Sequence, residues 1–231
     1  RHHIRFGQDY TYHRFQPQTY NRFDNYQTNS EAKADTIATH SYNKNVAHQL
    51  TFYAEDEMTL NEKWSLNGGV NADVFHISGK TFATLSPRLS MKFQPTERLS
   101  LKASYTLMSQ FVHKIANSFL DLPTDYWVPT TARLHPMRSW QVAAGAYMKP
   151  NKHWLLSLEA YYKRSSHILQ YSSWAGLEPP AANWDYMVME GNGRSYGVEL
   201  DADYNISNLT LHGSYTLSWT EKKFDDFYDG W

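Results

Sequence analysis

The sequence contains no cysteine and no long apolar run. Without cysteine, the chain has neither a disulfide scaffold nor a thiolate metal site. No stretch approaches the roughly 18 consecutive apolar residues of a transmembrane helix, so helices that cross a membrane are excluded. Transmembrane β-strands stay open, because a strand with lipid on one side needs only every second residue to be apolar.

The chain also has no marked excess of positive or negative charge. The net charge is −1 and the isoelectric point is near 6.9, so we predict no nucleic-acid partner. The motifs G-x-S-x-G and H-E-x-x-H and the phosphate-binding loop are absent, and we predict neither an enzyme nor a cofactor. Aromatic residues are plentiful at 16%, with 17 Tyr and 8 Trp. These two side chains favour sites that are apolar at one end and wet at the other.

The dominant pattern is period-two alternation of apolar and polar residues. Leu99, Leu101 and Ala103 alternate with Ser100 and Lys102, and similar segments recur from residue 4 to residue 219. About nine such segments have the length that a strand needs to cross a bilayer obliquely. Alternation of this kind predicts strands with two chemically different faces.

Short turns and long connections alternate along the chain. Short turns are predicted near 60–63, 95–98, 149–153 and 205–208. The connections between them are predicted to be long, near 17–45, 112–135, 170–192 and from 222 onward, except for a short one at 78–84. In an up-and-down meander all short turns then lie at one end. We predict an all-β, antiparallel, up-and-down transmembrane β-barrel with short periplasmic turns and long extracellular loops.

Charged residues occupy the polar face of these strands. The members predicted to face the barrel lumen or a plug are Glu55, Glu57, Asp73, Arg88, Lys102, Glu199, Asp201 and Asp203. Unpaired charges are expensive in a sandwich core but not in a polar lumen. His48 and Asp56 fall on the apolar face, where we expect a bulge or a position near the membrane interface.

The long connections carry aromatic residues that are candidates for ligand binding. These candidates are Tyr126, Trp127, Trp174, Trp184 and Tyr186. Exposed aromatic residues on long loops are typical of recognition surfaces. The same rings can instead pack the loops against each other or against a plug, and both interpretations stay open. We predict no catalytic residue and no metal ligand.

Several segments resemble one family. They are YAEDE at 53–57, LSPRLS at 85–90, the loop and strand start at 117–141, GRSYGVEL at 193–200 and YTLSWT at 215–220. Their sequence and order resemble the barrel of TonB-dependent outer-membrane receptors of the Bacteroidetes type. The resemblance implies a location in the bacterial cell outer membrane and a barrel of roughly 22 strands plugged by an N-terminal domain.

From the resemblance, residues 1–231 are expected to be a partial barrel, without the plug and the remaining strands. The resemblance also implies transport of a scarce nutrient with energy from the TonB complex, which acts through the missing N-terminal region. The implied partners are outer-membrane lipid, the nutrient (a siderophore, a cobalamin-like compound, a glycan or a peptide) and, in some receptors, a surface lipoprotein lid.

Two alternatives remain at this stage. One is a small outer-membrane barrel enzyme or adhesin of about eight or ten strands, which requires closure within this chain. The other is a soluble β-sandwich that binds carbohydrate, in which the apolar face is a buried core. Dependence on detergent separates the sandwich from both membrane proteins.

Overall fold

A computed structural model describes residues 1–15, 18–23, 37–42, 45–115, 126–171 and 184–225. Nine long strands form one antiparallel sheet: β1 (His2–Phe15), β4 (Asn45–Thr59), β5 (Trp64–Ile77), β6 (Lys80–Thr96), β7 (Leu99–Gln110), β10 (Met137–Met148), β11 (Trp154–Tyr171), β12 (Val188–Ile206) and β13 (Leu209–Lys223). Two hairpins and one short 3-10 helix complete the described elements: β2 (Gln18–Phe23) with β3 (Ile37–Tyr42), β8 (Val112–Ile115) with β9 (Tyr126–Pro129), and the helix Trp184–Met187. None of the described helices is long and apolar enough to cross a membrane.

Each long strand pairs with the long strands that precede and follow it, in the order β1-β4-β5-β6-β7-β10-β11-β12-β13. This arrangement confirms the predicted antiparallel up-and-down meander. The short turns lie together at one end of the sheet, here called the turn end, and the long connections lie at the other, the loop end. The tight β5–β6 turn lies at the loop end, where Ser78 and Gly79 both adopt positive φ (46° and 77°). Such a pair of dihedrals is typical of a two-residue hairpin turn.

One face of the sheet is apolar from strand to strand. Directly paired residues share a face, so each register row carries one kind of side chain. One apolar row across eight of the strands reads Met58, Leu66, Met91, Ala103, Ala144, Ala160, Val198 and Leu217. Many large side chains on this face are exposed, for example Leu158 at 50% and Phe52 at 47%.

Aromatic residues border the apolar face at both ends. At the turn end, the Trp64 ring stacks on a neighbouring ring with centroids 4.3 Å apart, and the Trp154 ring lies 4.8 Å from the Tyr204 ring. Towards the loop end, Tyr196 stacks on Trp219 with centroids 5.4 Å apart. Two aromatic rows that flank an apolar band are the pattern of a strand sheet that crosses a bilayer.

The two polar residues on the apolar face have partners on a neighbouring strand. His2 Nδ1 lies 2.7 Å from Asp56 Oδ2, and the Tyr10 hydroxyl lies 2.8 Å from His48 Nδ1. Of the two explanations expected for these positions, the bulge is wrong, because β4 pairs with β1 and β5 without a register shift; a position near the membrane interface stays a prediction. Side chains of β1 pair with one oxygen of Asp56 and with Nδ1 of His48, which reduces the free energy needed to keep these groups on an apolar face, although Asp56 Oδ1 is buried without a hydrogen-bond partner among the described residues.

The buried apolar residues of the described chain gather at the loop end. One cluster consists of Phe15, Ala47, Phe75, Ile77 and Phe111. A second cluster consists of Ile115, Val128, Leu134 and Val188. Phe111 belongs to the first cluster, and Ile115, Val128 and Leu134 belong to the second, so the described parts of this connection are anchored to the sheet at two places.

Candidate ligand-binding site

The β8–β9 hairpin is the structural base of the loop end. Its backbone pairing continues past the strands, because Thr130 N donates a hydrogen bond to the Phe111 carbonyl at 2.7 Å. The Phe111 ring stacks almost parallel on Phe75, with centroids 4.9 Å apart. Val128 is fully buried. Burial of these side chains fixes the hairpin on the sheet, since a buried aromatic ring contributes several kcal/mol.

A tight turn follows the hairpin and is held by its own polar groups. The Thr131 hydroxyl accepts hydrogen bonds from the backbone N–H groups of Arg133 and Leu134, both at 3.2 Å. Lys80 reaches across from β6 and donates to the Ala132 carbonyl at 2.9 Å. The turn therefore has a defined shape and presents the Arg133 side chain at a fixed position.

His113 is the one titratable group of this hairpin that is described as buried, with 4% of its surface exposed. Burial lowers the pKa of His113 to about 4, although the nearby charge of Glu190 acts in the opposite direction. The imidazole is therefore neutral at pH 7, and its Nε2 lies 3.3 Å from the Thr130 hydroxyl. A neutral ring is needed here, because a buried unpaired charge is strongly unfavourable.

Two of the predicted aromatic candidates are exposed at this end. Trp127 on β9 is 57% exposed and Tyr186 in the 3-10 helix is 59% exposed. The Arg133 guanidinium lies 4.5 Å from the centre of the Tyr186 ring, a cation–π contact. Tyr126 belongs to β9 and Trp184 to the 3-10 helix, while Trp174 lies outside the described residues.

A second cluster at the loop end was missed by the sequence analysis. His135 and His167 both direct Nδ1 at the carboxylate of Glu190, at 3.2 and 2.8 Å. The two histidines are 55 and 23 residues away from Glu190 in sequence. No local motif signals such a site, because only the pairing of β11 with β12 and the path of the hairpin bring these residues together.

The polar face of the sheet carries an ion-pair network near β1. Glu55 lies between two guanidinium groups, at 2.5 Å from Arg5 and at 2.5 Å from Arg88. Glu57 extends the network to Arg5 at 3.8 Å. On the same face, Asp73 accepts a hydrogen bond from a threonine hydroxyl at 2.6 Å.

Farther along the polar face, charges of opposite sign lie on different strands. Lys102 pairs in register with Lys92, and its Nζ lies 4.2 Å from the centre of the Tyr147 ring. On β11 and β12, beyond β10, Glu159 pairs in register with Glu199. The Tyr147 hydroxyl donates to Glu159 at 2.7 Å and so connects the two groups.

Two further predicted acids lie on this polar face of β12. Asp201 accepts a hydrogen bond from Ser157 at 3.3 Å, and Asp203 lies 2.7 Å from His212 Nδ1. The structure thus places all eight predicted charged residues on the face opposite to the apolar one. It does not bring them into a single site, since they are spread over five strands.

An apolar face bordered by aromatic rows, a charged opposite face and long connections at one end define the wall of a transmembrane β-barrel. The sequence profile of the TonB dependent receptor-like β-barrel family matches residues 1–231. The chain therefore belongs to this family of outer-membrane transport receptors, and its location is the bacterial outer membrane.

Solved structures show the same fold at low sequence identity. The ferripyoverdine receptor of the outer membrane of Pseudomonas aeruginosa superposes with a TM-score of 0.63 at 12% identity, over 99% of this chain and 32% of that chain. The FrpB iron transporter from Neisseria meningitidis (F5-1 variant) gives 0.58 at 17% identity, over 82% and 28%. The copper transporter OprC gives 0.63 at 15% identity, over 94% and 35%. A search of curated protein sequences gives no match.

The chain spans between 28% and 35% of the length of these three structures. The likeness is limited to the fold of the barrel wall, since the sequence identity is below 20% in each case. The prediction of a TonB-dependent receptor barrel is confirmed by the profile that covers the whole chain.

Proposed function

We propose that the protein containing this chain binds a metal-bearing nutrient at the loop end and imports it across the outer membrane with energy from the TonB complex. The observation that carries the proposal is the exposure of Trp127 on a hairpin that is buried at its base, together with the exposed Tyr186 ring beside the Arg133 guanidinium at the same end of the sheet. Exposed aromatic and guanidinium groups on a rigid support are typical of ligand recognition, because little entropy is lost when they bind.

The names of the similar structures support a metal-bearing ligand. They are an iron transporter, a receptor bound to ferripyoverdine and a copper transporter. Arg133 favours an anionic or electron-rich ligand, since it presents a positively charged guanidinium 4.5 Å from the centre of the exposed Tyr186 ring. A siderophore-type chelate combines these properties. A cobalamin-like compound, a glycan and a peptide are the other outcomes of a ligand screen.

The charged face of the sheet supports the part of the proposal that concerns import across the outer membrane. We assign it to the lumen of a barrel of roughly 22 strands, in contact with a plug domain. Lys92 and Lys102 on one side and Glu159 and Glu199 on the other would pair with plug residues of opposite charge. In this proposal the protein performs no covalent chemistry, and a surface lipoprotein lid of the Bacteroidetes type would cover the loop end.

Whole-cell uptake tests the proposal. A strain that lacks the native gene is complemented with the wild-type protein or with Trp127→Ala combined with Tyr186→Ala. Binding and uptake of radiolabelled ferric chelates are then measured with and without a protonophore. We expect the double variant to lose ligand affinity by about tenfold or more, and the protonophore to abolish uptake while surface binding remains.

Tyr215→Leu provides the matched control, because Tyr215 is an equally exposed aromatic residue on the apolar face of β13. This variant is expected to bind and import as the wild type does. Uptake that continues after collapse of the proton gradient would contradict a TonB-coupled receptor and favour a passive barrel. Equal binding by the wild type and the double variant would contradict the proposed recognition site.

A further inference from the structure

Three separate segments bring two imidazoles and one carboxylate to a single point at the loop end. His135 follows the tight turn after β9, His167 lies in β11, and Glu190 lies in β12. One donor atom from each residue can be chosen so that all three lie within 4.8 Å of one another. The two imidazole rings are also neighbours, with centroids 5.0 Å apart.

The donor spacing suits a transition-metal ion. Nδ1 of His135 and Nδ1 of His167 lie 3.2 and 2.8 Å from Glu190 Oε2. Two ligands bound to one Zn²⁺ at about 2.0–2.1 Å are roughly 3.3 Å apart in a tetrahedral site. An ion could therefore replace the hydrogen-bonded protons if the three donors, which lie within 4.8 Å of one another, moved closer around it.

The chemistry of the donors selects the class of ion. Two imidazole nitrogens and one carboxylate oxygen are the ligand set of many Zn²⁺ sites and of other divalent first-row ions. Mg²⁺ and Ca²⁺ prefer sites made entirely of oxygen. One coordination position would stay open, because the His135 side chain is 57% exposed and that of His167 is 38% exposed.

The backbone holds two of the donors in place. A register shift between Ser166 and Ile168 leaves His167 as the extra residue of a β-bulge, and His167 adopts a positive φ of 57°. Bulges re-aim side chains, and a non-glycine residue in this conformation is uncommon. Glu190 is fixed from the other side, because the backbone N–H of His135 donates to its Oε1.

We propose that His135, His167 and Glu190 form a binding site for a divalent first-row metal ion of the Zn²⁺ type. The ion would join the end of the hairpin segment to β11 and β12. The inference goes beyond the proposed import, because it concerns the affinity of the folded protein for the ion alone. A protein that imports nothing could still hold the ion here.

Metal titration of the full-length protein, purified from outer membranes in detergent and stripped with a chelator, tests the site. Zn²⁺ affinity is measured at neutral pH by competition with a chromophoric chelator, for the wild type and for His135→Gln, His167→Asn and Glu190→Gln. Asparagine at 167 tolerates the positive φ, and glutamine at 190 keeps an acceptor for the His135 N–H. We expect each change to lower the affinity by about tenfold or more.

His212→Gln is the matched control, since His212 also pairs with a carboxylate, at 2.7 Å from Asp203. This variant is expected to keep the wild-type affinity. X-ray absorption of the Zn²⁺-loaded wild type should show nitrogen and oxygen ligands at about 2.0–2.2 Å. Zn²⁺ should also slow hydrogen exchange at residues 131–135 in the wild type and not in His135→Gln.

An equal affinity in the wild type and in all three site variants would overturn the inference, because the bound ion would then lie elsewhere. Absence of stoichiometric Zn²⁺ binding to the wild type would overturn it as well. His135→Gln keeps the test decisive if another variant misfolds, since His135 is mostly exposed and contacts the sheet here through Glu190. Loss of ferric chelate uptake with unchanged Zn²⁺ affinity would concern the proposed function alone.

Discussion

The nine-stranded sheet and the β8–β9 hairpin differ in the exposure of their apolar side chains. On the sheet, Leu158 and Leu200 are each about half exposed, at 50% and 48%. In the hairpin, Val128 is fully buried and Ile115 is 1% exposed. The sheet needs an external apolar medium to cover one face, whereas the hairpin forms its own core against the loop end.

The difference separates two sources of stability. Lipid covers the apolar face of the sheet, so the change in the free energy of unfolding caused by a charged substitution there depends on its depth in the bilayer. The hairpin depends on a few packed side chains such as Phe111, and it can open without loss of the strand pairing below it. A change in one region is therefore expected to leave the other region intact.

Removal of the Phe111 ring gives the largest expected effect. Phe111→Ala deletes the stacking on Phe75 and leaves a cavity in the first apolar cluster. The opening free energy of the hairpin should fall by about 3–5 kcal/mol. Hydrogen exchange measured by mass spectrometry would show faster exchange in β8 and β9 and unchanged exchange in β10 and β11.

Phe52→Ala serves as its control, since Phe52 lies on the apolar face of β4 and is 47% exposed. Exchange in the hairpin should not change in this variant. If Phe111→Ala accelerated exchange equally across the nine long strands, the two regions would be one cooperative unit and the comparison would fail.

A charge at the middle of the apolar band gives the next effect. Leu158→Arg should destabilise the folded protein in lipid vesicles by about 2–4 kcal/mol. Ser157→Arg, one residue earlier on the other face, places the same charge beside Asp201 and should be tolerated. Unfolding by denaturant in vesicles measures both. Equal destabilisation by the two variants would mean that the two faces do not meet different media.

The hairpin should also weaken at low pH because of His113. Its pKa is about 4 in the folded state against an ordinary 6.5, so the unfolded state binds more protons between these values. The contribution of neutral His113 is full above pH 6.5 and is lost as the pH falls towards 4. The loss amounts to at most about 3 kcal/mol.

Hydrogen exchange of β8 and β9, corrected for the intrinsic pH dependence, measures this effect between these two pH values. His113→Gln should flatten the profile, because glutamine does not titrate. A profile for the wild type that is as flat as that of His113→Gln would show that the imidazole becomes charged without opening the hairpin.

The ion pairs of the polar face give the smallest effect. Glu55→Gln removes the charge that Arg5 and Arg88 share at 2.5 Å, and we expect destabilisation of about 1–2 kcal/mol. Glu57→Gln should change stability by less than about 0.5 kcal/mol, because its contact with Arg5 is longer and exposed. Thermal unfolding in detergent compares the two variants. A larger destabilisation by Glu57→Gln than by Glu55→Gln would contradict the central position of Glu55 in the network.

The sheet was predictable because period-two alternation is a local signal that repeats over each long strand. The same signal placed Glu55 and Asp201 on the polar face and Leu158 on the apolar one. The partners of Asp56 and His48 were not predictable, since they come from β1, which is distant in sequence.

The loop end was predicted less completely. β8 has four residues, too few for a periodic pattern, so the sequence predicts a long connection where the structure has the hairpin. Trp127 and Tyr186 are predicted from their residue type and their position in long connections, and the cation–π contact of Tyr186 with Arg133 follows from the tight turn. The cluster around Glu190 depends on tertiary pairing and has no sequence signature.

Accessibility of spin labels along β11 tests most directly whether the two faces of the sheet meet two media. Single cysteines are introduced from position 154 to position 163 of the otherwise cysteine-free chain and labelled in the full-length protein in lipid vesicles. Oxygen, which partitions into lipid, should relax the labels at even positions, including 158, and a polar nickel complex should not reach them. Odd positions, including 157 and 159, should be insensitive to oxygen from the lipid. An accessibility profile without period two would contradict the assignment of this chain to the wall of an outer-membrane barrel.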